Sequence, residues 1–347
     1  MSKFTILEGD CMELIKQQPD NSVDLVVTSP PYADIINYGK EVSTKKPDEY
    51  VDWLLPLFNE IYRVLKPSGS FILNINHSVK NGVVNPFVYD LISRSQKETK
   101  LKLYADYYWH KKNGIPNGST RRFRNMTEFV YHFVKKPKEV KWYMDRVLED
   151  PAEGYTDRLK YPDSIGAQGK VIDGQRVDTV ETSRIGNTNA DKVRPDNVFR
   201  FKTAGANRDN LIKHPAPYHP ELPGYFIKFL TDEGDVVLDP FAGIGTTGLP
   251  CIETGREFIG YELNPKYAEF SRQRLGGTEL DVNVVCQYDL EDNLIACYKN
   301  RSEASKATGV NEIDIMRTYN RTKFESRGGY KWTLEPLDKD KQMRLDL

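Results

Sequence analysis

The sequence predicts an α/β protein built on a doubly wound parallel sheet, and three observations support this. Strand-like and helix-like segments alternate over the first 76 residues and again over residues 221–276. The run VDLVV (23–27) lacks the regular polar alternation of a strand with one wet face, which is typical of a parallel strand covered on both sides. A glycine-rich segment, VVLDPFAGIGTTG, follows another apolar strand, as in a strand–turn–helix unit.

The elements before residue 137 follow a regular order. The strands are predicted at SKFTILEGD, SVDLVVTSP and SFILNIN, and the helices at MELIKQQPD and PDEYVDWLLPLFNEIYRVLKPSG. The long helix begins with acidic residues, ends before Gly69 and contains Pro56, a residue type that can kink a helix. Residues 104–136 predict paired strands around a polar loop.

The second half of the chain is less uniform. Residues 137–213 are rich in charged residues, Gly and Asn and show little periodicity, so we expect an inserted, loop-rich region. From ELPGYFIKFL onward the order helix, strand, glycine-rich turn, helix, strand, helix returns. The tail after Gly277 predicts a hairpin, two short helices and a final strand.

Composition excludes several classes of protein. Charged residues make up 29% and hydrophobic residues 39% of the 347 residues, and the net charge is −1, which is ordinary for a globular protein. No apolar run reaches the ~18 residues that span a bilayer, and the first residues lack a signal-peptide pattern. We therefore expect a cytoplasmic protein without a membrane partner. The four cysteines and five scattered histidines predict reduced thiols and no metal site.

Charge is unevenly distributed along the chain. Residues 97–146 contain 13 Lys or Arg against 5 Asp or Glu, with aromatic residues between them. Such a segment suits a nucleic-acid backbone, although a solvated surface would have the same composition.

The glycine-rich turn has the spacing of a nucleotide-binding site. Gly243, Gly245 and Gly248 form a G-x-G-x-x-G pattern, and Glu262 follows 19 residues after the first glycine. The glycines would let the backbone approach a ligand, and the carboxylate would accept hydrogen bonds from a ribose. A nicotinamide enzyme, or simply a tight strand-to-helix turn, would also explain these glycines. Asp239 before the turn disfavours a pyrophosphate and suits a ligand with an amino group and a sulfonium.

The segment TSPPY (28–32) directly follows the buried strand VDLVV. Two consecutive prolines cannot continue a central strand or a helix. The segment is therefore either a rigid turn or the floor of a pocket.

Taken together, TSPPY, DPFAGIGTTG, YELNPKY and HPAPYHPELP resemble the S-adenosylmethionine-dependent DNA amino-methyltransferases. The order of these motifs resembles the permuted beta class, in which the catalytic loop precedes the cofactor loop, and the resemblance covers residues 4–275. It implies a Rossmann-like methyltransferase sheet, S-adenosylmethionine as cofactor and double-stranded DNA as substrate. The target base would be flipped out of the duplex.

The resemblance also implies roles for individual residues. The catalytic loop would be Ser29, Pro30, Pro31 and Tyr32, where oxygen acceptors aim the lone pair of the target amine and the tyrosine ring stacks on the base. The cofactor would be held by Asp10, His214, Pro215, Ala216, Pro217, Asp239, Pro240, Phe241, Gly243, Gly245, Thr246 and Glu262. Phosphate contacts are expected from Lys111, Lys112, Arg121, Arg122 and Arg124.

This reading divides the chain into four parts. Residues 1–137 form the catalytic part of the methyltransferase domain, 138–213 the target-recognition region and 214–278 the cofactor-binding part. Residues 283–335 resemble the small modular DNA-binding repeat associated with homing endonucleases, an α+β module with a helix-turn-helix. The alternative for this tail is a structural cap on the sheet.

Serine at position 29 favours N4 of cytosine as the target, because Ser-Pro-Pro-Tyr most often accompanies cytosine in the family that the chain resembles; N6 of adenine is the alternative. The enzyme would partner a restriction endonuclease or act alone. Two rival readings are a catalytically silent DNA-binding regulator and a nicotinamide dehydrogenase. The dehydrogenase explains neither TSPPY nor the basic segment.

Overall fold

The computed structural model describes residues 3–33, 46–112, 123–150, 170–172, 175–177, 192–203, 218–276, 283–298, 301–311, 314–315 and 329–336. The strands are β1 (Phe4–Glu8), β2 (Val23–Thr28), β3 (Leu65–Ile75), β4 (Ser78–Lys80), β5 (Val83–Asn85), β6 (Lys102–Lys111), β7 (Thr127–Val134), β8 (Lys170–Ile172), β9 (Gln175–Val177), β10 (Val198–Phe201), β11 (Val236–Asp239), β12 (Glu257–Glu262), β13 (Asn283–Tyr288), β14 (Leu294–Tyr298) and β15 (Lys331–Pro336). The helices are α1 (Cys11–Leu14), α2 (Pro47–Val64), α3 (Phe87–Glu98), α4 (Glu221–Leu230), α5 (Gly248–Glu253), α6 (Pro265–Gly276) and α7 (Arg301–Thr308).

Eight of the described strands form one mixed sheet in the order β1-β12-β11-β2-β3-β7-β6-β10. The five strands from β1 to β3 in this order are parallel neighbours, β7 runs antiparallel to β3 and β6, and β10 is parallel to β6. All six residues of β2 are buried, which explains why its sequence lacks polar alternation. The predicted doubly wound α/β sheet is confirmed.

The strands β11 and β2 lie side by side at the centre of the sheet, with Val237 opposite Leu25 and Leu238 opposite Val26. From β11 the chain continues to β12 on one side, and from β2 it continues to β3 on the other. The loops that follow the two strands therefore diverge and leave a crevice at their carboxyl ends. Ligands of open α/β sheets bind in such a crevice.

Helices cover both faces of the sheet. On one face, α1, α2 and α3 pack against β-strand residues such as Val26 and Phe71. On the other face, α4, α5 and α6 pack against Leu25 and Ile72. Because neighbouring strand residues point to opposite faces, a mainly apolar strand is needed to serve both cores.

Several elements differ from the sequence-based expectation at their ends. The helix predicted from MELIKQQPD is wrong in extent, since α1 ends at Leu14 and a single 3-10 turn continues to Gln17. The long helix is confirmed as α2, which continues through Pro56. Its predicted end is wrong, because α2 stops at Val64 and strand β3 begins at Leu65, so residues 65–68, expected to finish the helix, belong to the strand.

The segment between β7 and α4 is less irregular than expected. Residues 144–147 form a 3-10 turn, β8 and β9 pair as a hairpin, and β10 joins the edge of the main sheet beside β6. The loop-rich interpretation missed β10 because VFRF is short and polar residues surround it. The role of residues 138–213 in recognising a target sequence stays a prediction.

The described part of the tail forms a small separate sheet in the order β14-β13-β15. Its strands are antiparallel, as the predicted hairpin and final strand require, and α7 is the first predicted helix. Val285, Ala304, Ile315 and Trp332 form its core. Most of the second predicted helix lies outside the described residues, so the helix-turn-helix and its resemblance to a DNA-binding repeat stay predictions.

None of the helices in the described part of the chain is both long and apolar enough to cross a membrane.

Candidate active site

The glycine-rich turn after β11 has the backbone that its sequence predicts. Gly243 and Gly245 have φ values of 54° and 76°, which favour glycine because a Cβ is unfavourable in this region. Gly248 opens α5, and a Cβ there would lie 2.6 Å from Leu275 and 2.7 Å from Phe258. The glycines therefore allow both the sharp turn and the close packing of α5 on the sheet.

Asp239 ends β11 and is 1% exposed. One carboxylate oxygen accepts hydrogen bonds from Thr28 Oγ1 at 2.6 Å and from the Phe241 backbone N–H at 3.0 Å. The other accepts from Thr247 Oγ1 at 2.5 Å and from the Tyr218 hydroxyl at 3.2 Å. Burial raises the pKa of Asp239, and the hydrogen bonds from Thr247, Thr28 and Phe241 oppose that rise.

The contacts of Asp239 connect the glycine-rich turn to the end of β2. Thr28 is the last residue of β2 and directly precedes Ser29, whereas Phe241 belongs to the glycine-rich turn. The carboxylate is occupied by protein donors, so Asp239 holds the turn and the predicted catalytic loop beside each other. A direct contact between Asp239 and the cofactor stays a prediction.

Glu262 ends β12 next to the same turn. Its Oε2 accepts from the Gly243 backbone N–H and its Oε1 from the Asn264 backbone N–H, each at 2.8 Å. Burial raises the pKa of Glu262, and the two backbone hydrogen bonds act in the opposite direction. Sequence reasoning predicted a ribose acceptor but missed that this carboxylate also fastens the turn. A carboxylate has about four acceptor positions, so both roles fit one side chain.

The segment Gly9–Asp10 follows β1 and lies beside Glu262. The Gly9 N–H donates to the Glu262 carbonyl oxygen at 2.9 Å, and Gly9 has a φ of 147°. Asp10 is exposed and caps α1, with its Oδ1 accepting from the Met12 N–H at 2.9 Å. The carboxyl ends of β1, β12 and β11 thus bring three predicted cofactor segments together at one edge.

The predicted catalytic loop, residues 29–32, starts where β2 ends. Pro30 is buried, whereas Ser29, Pro31 and Tyr32 are half-buried. The Ser29 hydroxyl donates to the Tyr32 hydroxyl oxygen at 3.4 Å, and Tyr32 in turn donates to Glu128 at 2.7 Å. The loop is therefore tied to the β7 side of the sheet as well as to β11.

Glu128 belongs to a polar cluster that the sequence did not indicate. Its Oε2 accepts from Asn74 Nδ2 at 3.0 Å, and its Oε1 pairs with Lys111 Nζ at 2.5 Å. Asn74 is 3% and Glu128 8% exposed. The sequence signal was weak, since one charged residue at the start of an otherwise apolar strand, TEFVYHFV, is common on surfaces.

The predicted phosphate contacts are only partly described. Lys111 is paired with Glu128, while Lys112 and Arg124 are exposed. Arg121 and Arg122 lie outside the described residues, as do four predicted cofactor residues, His214, Pro215, Ala216 and Pro217.

Pro240 and Thr246 are buried in the turn, and Phe241 packs near Trp53 of α2 with ring centroids 5.9 Å apart. The binding roles of these residues stay predictions.

Comparison with known proteins agrees with this arrangement. The chain is 29% identical over 303 residues to type II methyltransferase M.PvuII of Proteus hauseri, covering 80% of this chain and 83% of that protein. It is also 29% identical over 311 residues to DNA adenine methyltransferase YhdJ of Escherichia coli K12, covering 89% and 93%.

A solved structure is similar as well. It is PvuII DNA methyltransferase, described as cytosine-N4-specific, with a TM-score of 0.59, 26% identity and coverage of 79% of this chain and 86% of that one. The DNA methylase family of N6 and N4 enzymes matches residues 23–273, which is most of the chain. The protein therefore belongs to the N6/N4 DNA methylase family and is a DNA methyltransferase that uses S-adenosylmethionine.

Proposed function

We propose that this enzyme methylates the N4 amine of cytosine at specific sites in double-stranded DNA. The observation that carries the proposal is the position of Ser29, which follows Thr28 at the central crevice and is hydrogen-bonded to Tyr32. The PvuII structure, described as cytosine-N4-specific, also supports it. The similarity to an adenine methyltransferase keeps N6 of adenine as the second candidate.

The catalytic loop would act on a base that has left the duplex, because the amine of a stacked base cannot reach a methyl donor. The amine is a poor nucleophile, since its lone pair is delocalised into the ring. Ser29 Oγ and the Pro30 carbonyl would accept its two hydrogens and direct the lone pair out of the ring plane. The ring of Tyr32 would stack on the base, and the two prolines keep the acceptors fixed.

The crevice would hold S-adenosylmethionine, which supplies the methyl group as a sulfonium when bound. The positive-φ glycines leave space for close approach of a ligand to the backbone. Glu262 would accept hydrogen bonds from the ribose hydroxyls, and Asp10 would border the adenine. Asp239 would keep this turn aligned with the catalytic loop through Thr28.

DNA would be held by the exposed residues beside the crevice. Lys112 and Arg124 are exposed and flank residues 113–122, which include Arg121 and Arg122. Their charges would contact phosphates, and residues 138–213 would read the sequence. We further propose that the enzyme acts in restriction–modification, either with a cognate nuclease or alone.

The target atom can be identified directly. The purified enzyme is incubated with S-adenosylmethionine and DNA from cells without methyltransferases, and the DNA is digested to nucleosides for mass spectrometry. We expect N4-methylcytosine from the wild type and none above background from Ser29→Ala. N6-methyladenine instead would overturn the choice of base, and no methylated nucleoside would overturn the proposed activity.

A further inference from the structure

Glu128 is a buried carboxylate that contacts donor groups of three side chains. It lies second in β7, next to the catalytic loop. The Tyr32 hydroxyl lies 2.7 Å from its Oε2, Asn74 Nδ2 lies 3.0 Å from the same oxygen, and Lys111 Nζ lies 2.5 Å from Oε1. The adjacent lysine charge offsets the cost of keeping a carboxylate away from water.

These contacts determine where the hydrogen of the Tyr32 hydroxyl points. An ionised carboxylate only accepts hydrogen bonds, so Tyr32 donates to Glu128. The second acceptor within reach, Asn74 Oδ1, is 3.4 Å away, and the shorter, charge-assisted bond to Glu128 is the stronger one. The oxygen of Tyr32 then faces Ser29 as an acceptor.

The direction continues to Ser29, whose hydroxyl donates to Tyr32 at 3.4 Å. This distance is at the long end for a hydrogen bond, as is common before a substrate is bound. Because its hydrogen points to Tyr32, the lone pairs of Ser29 Oγ are directed away from Tyr32. An amine that must donate its hydrogens to Ser29 requires this orientation.

We propose that Glu128 is a positioning residue for methyl transfer: through the hydroxyl of Tyr32 it directs the hydrogen of Ser29 so that Ser29 Oγ accepts a hydrogen bond from the target amine. The inference rests on the proposed role of Ser29 as an acceptor for the base. Lys111 has a corresponding part, because its ammonium pairs with Glu128 Oε1 and orients the carboxylate, in place of the phosphate contact expected for it.

The variant Glu128→Gln tests the direction of the chain with little change in shape. Lys111 has only donors, so the amide oxygen of the new glutamine would face Lys111 and its NH₂ group would face Tyr32 and Asn74, whose amide would turn to present Oδ1 as the acceptor. Tyr32 would then accept from the glutamine and donate to Ser29, occupying the lone pair that the amine needs. We expect kcat to fall about 10- to 100-fold, the range for loss of a hydrogen bond to a charged group.

The variant Tyr32→Phe makes the test specific, since it keeps the ring and removes the misdirected hydrogen. If Glu128 acts through Tyr32, adding Glu128→Gln to Tyr32→Phe should lower kcat no further. A merely structural role predicts the same loss in both backgrounds. The affinity for S-adenosylmethionine, measured by calorimetry, should be unchanged in all of these variants.

A matched control is Asp24→Asn. Asp24 is another buried carboxylate paired with a lysine, Lys66 at 2.7 Å, but it lies near the amino end of β2. The substitution Asp24→Asn should reduce the free energy of unfolding and leave kcat unchanged. Wild-type kcat in Glu128→Gln, or an equal loss with and without Tyr32→Phe, would overturn the inference. The proposed function fails separately, if the wild type transfers no methyl group or Ser29→Ala is fully active.

Discussion

At the scale of single residues, two carboxylates hold the glycine-rich turn in different ways. Asp239 is enclosed by side-chain and backbone donors from three segments, whereas Glu262 accepts from two backbone N–H groups and remains half-buried. A half-buried carboxylate at the crevice still has acceptor positions for a ligand. Glu262 is therefore the better position at which to measure a direct contribution to cofactor affinity.

We expect Glu262→Ala to weaken S-adenosylmethionine binding by about 1–3 kcal/mol, the range for a lost hydrogen bond to a charged group. Calorimetry measures the affinity, and urea denaturation shows how much the loosened turn contributes. Glu257→Ala is the control, because Glu257 lies at the other end of β12, where its only described ion pair is a 3.6 Å contact with Lys3. Equal affinities in the wild type and Glu262→Ala would exclude the ribose role.

Sequence patterns predicted the site residues that stand at characteristic spacings. They missed the residues whose role depends on contacts with residues far away in the sequence. The glycines, Glu262 and TSPPY stand in short patterns next to strands. Glu128 reaches Tyr32 across 96 positions of sequence, and Tyr218 reaches Asp239 from a separate segment. No local pattern distinguishes such residues from ordinary charged or aromatic ones, because only the register of the sheet brings them together.

At the scale of elements, the packing of α5 on the sheet depends on Gly248. A Cβ at this position would lie within 2.8 Å of Leu275 and of two atoms of the Phe258 ring. We expect Gly248→Ala to lower the free energy of unfolding by about 1–3 kcal/mol, as overpacking does in other cores. Urea denaturation measures this, and an unchanged midpoint would contradict the close packing.

The buried histidine of β7 predicts a pH dependence. Burial lowers the pKa of His132 to about 3 from 6.5, and its ring nitrogens contact Ser70 Oγ at 2.9 Å and the Tyr107 hydroxyl at 3.4 Å. Below pH 6.5 this histidine binds a proton in the unfolded chain but stays neutral in the folded protein. Its contribution to the free energy of unfolding is therefore fully present above pH 6.5 and is lost as pH falls toward 3. The slope should be about 1.4 kcal/mol per pH unit.

The measurement is the free energy of unfolding between pH 7 and the lowest pH at which the protein folds, for the wild type and His132→Gln. The glutamine side chain cannot bind a proton. The slope of the free energy of unfolding against pH should therefore be smaller in the variant by the contribution of one proton. Parallel curves would show that His132 is not responsible.

Strands were predictable where apolar runs cover both faces of the sheet, as in β2 and β11, because such runs have few other uses in a water-soluble chain. Strand β10 was missed, since four residues at the edge of a sheet bury too little surface to leave a periodic pattern. The short α1 was overestimated for a related reason. Asp10 specifies where that helix begins, but the residues after Leu14 carry no comparable stop.

At the scale of the whole molecule, the tail after residue 280 can be tested apart from the main sheet. Its described residues have their own core around Trp332, and all predicted cofactor and catalytic residues precede it. We expect its removal to leave cofactor affinity unchanged, to weaken DNA binding and to lower the salt dependence of that binding. The log–log slope should fall by about one unit for every phosphate that the tail neutralises.

Salt titrations of DNA binding by the full-length and truncated proteins provide the measurement. Identical curves from two folded proteins would exclude a DNA-binding role for the tail. An insoluble truncated protein would instead indicate that the tail caps the main domain.

The order of strands in the main sheet has a consequence for how the two halves of the chain hold each other. Strands β11 and β12, from the later half, lie between β1 and β2, from the earlier half. The halves are thus interleaved in the sheet. Neither half alone contains both β11 and β2, the two strands whose carboxyl ends border the crevice. A chain broken between β9 and β10 should still copurify as two pieces, because separating them means removing β11 and β12 from between β1 and β2 and also breaking the pairing of β10 with β6.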